Sequence, residues 1–142
     1  TSGRAVALVD LDTVKPGLVH YDIGDCLRSA CNPAGEESTD LETVHFNLEL
    51  AEALLRGYLA EAGSCMSAAD LDHLYDAIRL LPFELGLRFF TDHLAGNVYF
   101  KASHSRHNLD RARVQFRLTE SIEAQEPELR ALLSQLTTEV LG

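Results

Sequence analysis

Cysteine, cations and long apolar runs are all scarce in this sequence, and each scarcity excludes something. Three Cys occur in 142 residues (Cys26, Cys31 and Cys65), odd in number and without C-x-x-C spacing. That argues against both a structural zinc site and a disulfide framework, and a reducing, cytoplasmic compartment is the matching expectation. The six His never fall as H-x-x-x-H on one helix or beside a Cys at ligand spacing, so a specific zinc centre is not expected. No apolar run approaches the ~18 residues of a membrane span, and no charged-then-apolar leader opens the chain. Lys and Arg number 12 against 22 Asp and Glu, a net charge of −10. A chain so acidic is a poor non-specific nucleic-acid binder, because phosphate neutralisation needs clustered cations. The first residue is Thr, not Met, which suggests a piece of a longer polypeptide.

What is present is unevenly spread. Residues 36–76 carry ten acids and one base, Arg56, whereas residues 101–117 carry five bases and one acid, Asp110. The basic segment is expected to form a solvated helix face that pairs with the acidic part. Phe83, Phe89, Phe90, Tyr99 and Phe100 have no interleaved cations of the kind a base-stacking platform uses and read as core or pocket wall.

The length suits one domain, residues 1–142. Arg4-Ala-Val-Ala-Leu-Val9 is a short apolar run, so residues 5–9 are expected to form a strand. A lone strand needs a partner for its backbone groups. That partner is expected upstream, and an unpaired edge here makes self-association plausible. Lys15-Pro-Gly17 marks a turn, Tyr21–Asp25 starts a short helix, and Asn32-Pro-Ala-Gly35 stops it. Between Asp40 and Ala62, Leu41, Val44, Leu48, Ala51, Leu55, Tyr58, Leu59 and Ala62 repeat at the helical period, predicting one amphipathic helix ended by Gly63. Ser67-Ala-Ala-Asp70 has capping-box spacing and opens another, which Pro82 should break or kink. Gly96-Asn97 predicts a turn, Asn108 or Asp110 a cap for a helix to about Ala124, and Pro127 the first turn of the last helix.

Asp10 and Asp12 stand two residues apart where the apolar run ends. Carboxylates at the end of a strand suit magnesium, which takes hard oxygen ligands and leaves positions for water and phosphate. Two acids after a strand can equally be turn formers. Asp10-Leu-Asp-Thr-Val14 also resembles the first motif of haloacid-dehalogenase-type phosphatases, which implies Asp10 as nucleophile and Asp12 as acid/base. That family further requires parallel strands, for which the remaining sequence gives no signal.

A longer resemblance runs through Ala-Leu-Val-Asp-Leu-Asp-Thr-Val14, Pro16-Gly17, Tyr-Asp-Ile-Gly-Asp-Cys-Leu-Arg28, Leu-Gly-Leu-Arg-Phe-Phe-Thr-Asp-His-Leu94, Asn-Val-Tyr-Phe-Lys101 and His-Asn-Leu-Asp-Arg-Ala-Arg113. In this order the segments resemble the aminoglycoside phosphotransferase and choline-kinase-like enzymes, nearest to their N-acetylhexosamine 1-kinase branch. The resemblance implies a mainly α chain: the helical C-terminal part of a protein-kinase-like C-lobe, with one short N-terminal β-strand. It implies ATP as co-substrate, magnesium on Asp10 with Asp12 nearby, and a sugar acceptor. It gives Asp22, helped by Asp25, the role of supporting the catalytic loop. Arg88 and Asp92, one helical turn apart, would hold the acceptor, or else form a surface ion pair. The family's catalytic loop and nucleotide-binding lobe precede the strand before Asp10 and cannot fit in nine residues. His107-Asn-Leu-Asp110 imitates that loop but lies on the wrong side of Asp10. This chain alone is therefore expected to be inactive. A helical interaction domain with an acidic face is the non-enzymatic alternative.

Overall fold

The computed structural model describes residues 4, 6, 7, 11 and 14–141, with only the backbone of residues 140 and 141. The described chain is mainly helical: α1 Val19–Ala30, α2 Leu48–Ala62, α3 Ala68–Asp72, α4 Leu74–Leu94, α5 His107–Ala124 and α6 Glu126–Leu141. Short 3-10 turns occupy Leu41–Thr43 and Gly63–Cys65. None of these helices is long and apolar enough to cross a membrane.

No described residue lies in a strand, which corrects the expected β-strand as far as it can be followed. Val6 is 92% exposed and neither it nor Ala7 is in a strand. Residues 5, 8 and 9 lie outside the described residues. Without a partner, an extended segment has nowhere to place its backbone donors and acceptors except water. The self-association expected there has no formed edge at residues 6 and 7.

The core is assembled from one stripe per helix. Ile23 and Leu27 of α1, Ala51, Leu55 and Leu59 of α2, and Leu74 and Ile78 of α4 meet Val114, Leu118 and Ile122 of α5. Leu129, Leu133 and Leu136 of α6 complete it. All recur at three- or four-residue spacing, the period that puts side chains on one helical face. α4 is the central element, with α5 along one side and α1 along another, while α2 packs on α6.

Two glycines set how closely α4 is approached. A Cβ on Gly24 would lie 2.9 Å from Leu81 Cγ and 3.0 Å from the Ala77 carbonyl oxygen. One on Gly86 would lie 2.7 Å from the Phe116 ring. Gly24→Val should therefore force α1 off α4, costing about 1–3 kcal/mol by overpacking. Urea denaturation checks this; an unchanged midpoint would mean that α1 is loosely seated.

Three boundaries differ from expectation for local reasons. The Asp40–Ala62 stripe is α-helical only from Leu48, where the Asn47 side chain accepts from Leu50 N–H at 3.0 Å. Before it, Val44–Asn47 is extended and buried at Val44 and Phe46. Phe46 N–H donates to Ser121 Oγ (2.9 Å), Gln125 Nε2 donates to the Phe46 carbonyl (3.0 Å), and Asn47 N–H donates to the Cys31 carbonyl (2.8 Å). These tertiary bonds outweigh the local helical period. The capping box of Ser67 and Asp70 forms, but its helix stops at His73. Pro82, in contrast, lies buried inside an unbroken α4. The ring removes one helical donor, yet buried Leu74, Tyr75 and Ile78 before it and Gly86 and Phe89 after it hold both halves in place.

Candidate functional site

The C-terminal end of α4 turns sharply through Gly96 (φ 92°) and Asn97 (φ 59°), backbone values that favour these two residue types. The chain then folds back over Asp92. Asp92 Oδ1 accepts from the N–H groups of Val98 (3.0 Å) and Tyr99 (2.8 Å). Its Oδ2 accepts from Phe100 N–H (3.0 Å) and from Asn108 Nδ2 (2.9 Å), the latter reaching in from α5. Asn97 N–H donates to the Asp92 carbonyl at 2.8 Å, and Asn108 Nδ2 also reaches Asn97 Oδ1 at 3.1 Å. Three successive amides thus form a nest filled by one carboxylate of the same chain. Burial pushes the Asp92 pKa up, but the N–H groups of Tyr99, Phe100 and Val98 and the Asn108 amide outweigh it and hold the carboxyl below its ordinary value.

This nest fixes what the loop presents. Phe100 packs at a tilt against Phe89 with ring centroids 4.6 Å apart, and Tyr99 meets Phe100 edge-on at 4.8 Å. The Arg88 guanidinium lies 5.4 Å from the Phe100 centroid and 6.0 Å from that of Tyr99, within cation–π range. Arg88, Tyr99 and Phe100, with Thr91, Asp92, Ala95 and Val98, line an open groove of about 480 Å³. Tyr99 is largely exposed. A planar cation beside an exposed aromatic ring suits a ligand with an apolar face and hydroxyl edges.

Arg88 and Asp92, expected together at the acceptor, line one groove but differ in their surroundings. Asp92 is only 5% exposed and its oxygens are taken by the loop, so it positions the site and is not free to bind a ligand. Arg88 is exposed at the surface, loosely paired with Glu84 at 3.9 Å. Asp22 is exposed in the first turn of α1. Asp25, also exposed, pairs with Arg28 Nε at 2.7 Å, and Arg28 reaches Glu36 at 3.2 Å. Asp10 and Asp12 lie outside the described residues. Among the described residues no group of three His, Cys, Asp or Glu could hold a metal ion. The Cys31 thiol is in the core, and burial, then Cys26, pushes its pKa up to about 12, which makes it unreactive.

Two features escaped the sequence reading. Asn108 looked like a cap, but α5 starts at His107 and Asn108 turns inward to Asp92. Glu37 forms a clip with α5 through His107 and Arg111. Ser103 N–H donates to His107 Nδ1 at 3.0 Å, which leaves Nε2 to carry the proton donated to Glu37. Burial works to raise the Glu37 pKa, and the bonds from His107 and Arg111 overcome it and lower it. Arg111 also reaches Glu36 at 3.5 Å, so the basic segment does meet the acidic one here. Only the opposite charges of the two segments hinted at this clip. No protein-family model matches the chain.

Proposed function

We propose that the chain is the C-terminal part of a cytoplasmic, ATP- and magnesium-dependent small-molecule kinase of the aminoglycoside phosphotransferase and choline-kinase-like type, with a protein-kinase-like C-lobe. Its acceptor is a hexosamine-like sugar. The observation that carries this reading is the loop locked onto Asp92, which holds Tyr99 and Phe100 against the exposed guanidinium of Arg88. Arg88 would donate to sugar hydroxyls while the exposed Tyr99 ring covers an apolar sugar face. Asp92 acts only by fixing that geometry. Asp10 and Asp12 would hold the metal, which when bound neutralises charge on the transferring phosphoryl group. Asp22 and Asp25 would support the catalytic loop. The phosphatase alternative needs parallel strands, and the described residues form none.

Acceptor binding can be read on the chain itself. Titrating isotope-labelled protein with N-acetylglucosamine should shift the amides of Arg88, Tyr99 and Phe100 with a Kd on the order of 1–10 mM. Arg88→Ala should remove most of the effect. Unmoved resonances at about 50 mM sugar would take the acceptor role away from this groove.

A further inference from the structure

The outer face of α4 carries an apolar stripe beside the acceptor groove; the stripe touches the rest of the chain where the Phe83 and Phe116 rings meet with centroids 6.0 Å apart. Leu80, Phe83, Leu87, Phe90 and Leu94 follow one another at intervals of 3, 4, 3 and 4 residues. All five are 38–71% exposed, although α4 is the central helix of the fold. That spacing is the seam of a two-helix interface. Its side chains are arranged symmetrically about Leu87, reading Leu, Phe, Leu, Phe, Leu in either direction.

We infer that this face docks a second copy of the same chain, with the two α4 helices antiparallel and the twofold axis at Leu87. Leu80 then packs on the partner's Leu94, Phe83 on the partner's Phe90, and Leu87 on the partner's Leu87. A twofold interface must be self-complementary in this way. The five side chains expose on the order of 500 Å², so two faces bury about 1,000 Å², the least that a specific interface needs. The flanking charges agree. Glu84 and Arg88 lie along one edge of the stripe, loosely paired at 3.9 Å within the monomer. Antiparallel pairing brings Glu84 beside the partner's Arg88 and Arg88 beside the partner's Glu84, so docking and acceptor binding compete for Arg88. A parallel pair would instead need Arg79 to reach the partner's Glu84, but Arg79 is already bound to Glu123 at 2.8 Å. Antiparallel packing also opposes the helix dipoles.

Sedimentation velocity on the 142-residue chain, from about 1 to 300 µM, tests the inference. A monomer–dimer equilibrium with Kd on the order of 10–100 µM is expected for an interface of this size. Leu87→Asp, and the milder Leu87→Gln, should each weaken it at least about tenfold, with helical circular dichroism unchanged. With Cys26 and Cys65 changed to Ser, a mixture of Leu80→Cys and Leu94→Cys chains should oxidise to the mixed disulfide. A monomer throughout the range would overturn the inference and leave the stripe as a seat for a different polypeptide. So would a dimer indifferent to both Leu87 variants, or Leu80→Cys chains that cross-link only with themselves.

Discussion

Asp92→Ala should lower the melting temperature by about 5–10 °C and release the loop between α4 and α5. The wild-type carboxylate satisfies the N–H groups of Val98, Tyr99 and Phe100 and the Asn108 amide. Removing it takes the partner from three loop amides and from the buried Asn108 amide at once, and the buried donor is the costliest to leave unpaired. Asp92→Asn should be nearly as harmful, because its amide would turn a donor toward donors. The pH dependence follows from the lowered pKa. Between the folded value and the ordinary 3.8, the unfolded chain binds more protons, so stability rises with pH across that window. The contribution of Asp92 is complete above 3.8 and is lost as pH falls through the folded pKa. Melting curves from pH 7 to about pH 2.5 should thus show wild type and Asp92→Ala converging at the acid end. A gap that stays constant with pH would mean that the charge contributes nothing.

The second large effect concerns turnover. On the kinase proposal, the 142-residue chain should show no ATP-dependent sugar phosphorylation, because nucleotide, metal and acceptor hydroxyl must be held together. A longer polypeptide that adds the upstream lobe and catalytic loop should phosphorylate the sugar. In it, Asp10→Asn should reduce kcat by on the order of 10³-fold or more with helicity intact, since the substitution keeps size and removes charge. Robust turnover by the shorter chain, or full activity in the Asp10→Asn protein, would remove Asp10 from its assigned role.

Local signals predicted what local physics controls. The Ser67–Asp70 box, the Gly96-Asn97 turn and the apolar stripe of α2 were legible, because capping, positive φ and periodicity act within a few residues. What was not legible depended on partners distant in sequence. Val44–Asn47 is extended because Ser121 and Gln125 bond its backbone, more than seventy residues away. α4 runs through Pro82 because packing on α1 and α5 outweighs one missing donor. At the candidate site, the sequence marked Arg88 and Asp92 as a pair on one face. Only the folded loop showed that one is consumed as a structural anchor and the other left exposed.

The most direct test of the central claim is the kinetics of Arg88→Ala in the longer enzyme, with KM measured separately for sugar and ATP. Arg88 lies against the Tyr99 and Phe100 rings with its guanidinium free to bond an acceptor. Its loss should raise the sugar KM about tenfold while the ATP KM stays within about twofold. Unchanged sugar kinetics, or an equal rise in both constants, would contradict the assignment of this groove to the acceptor.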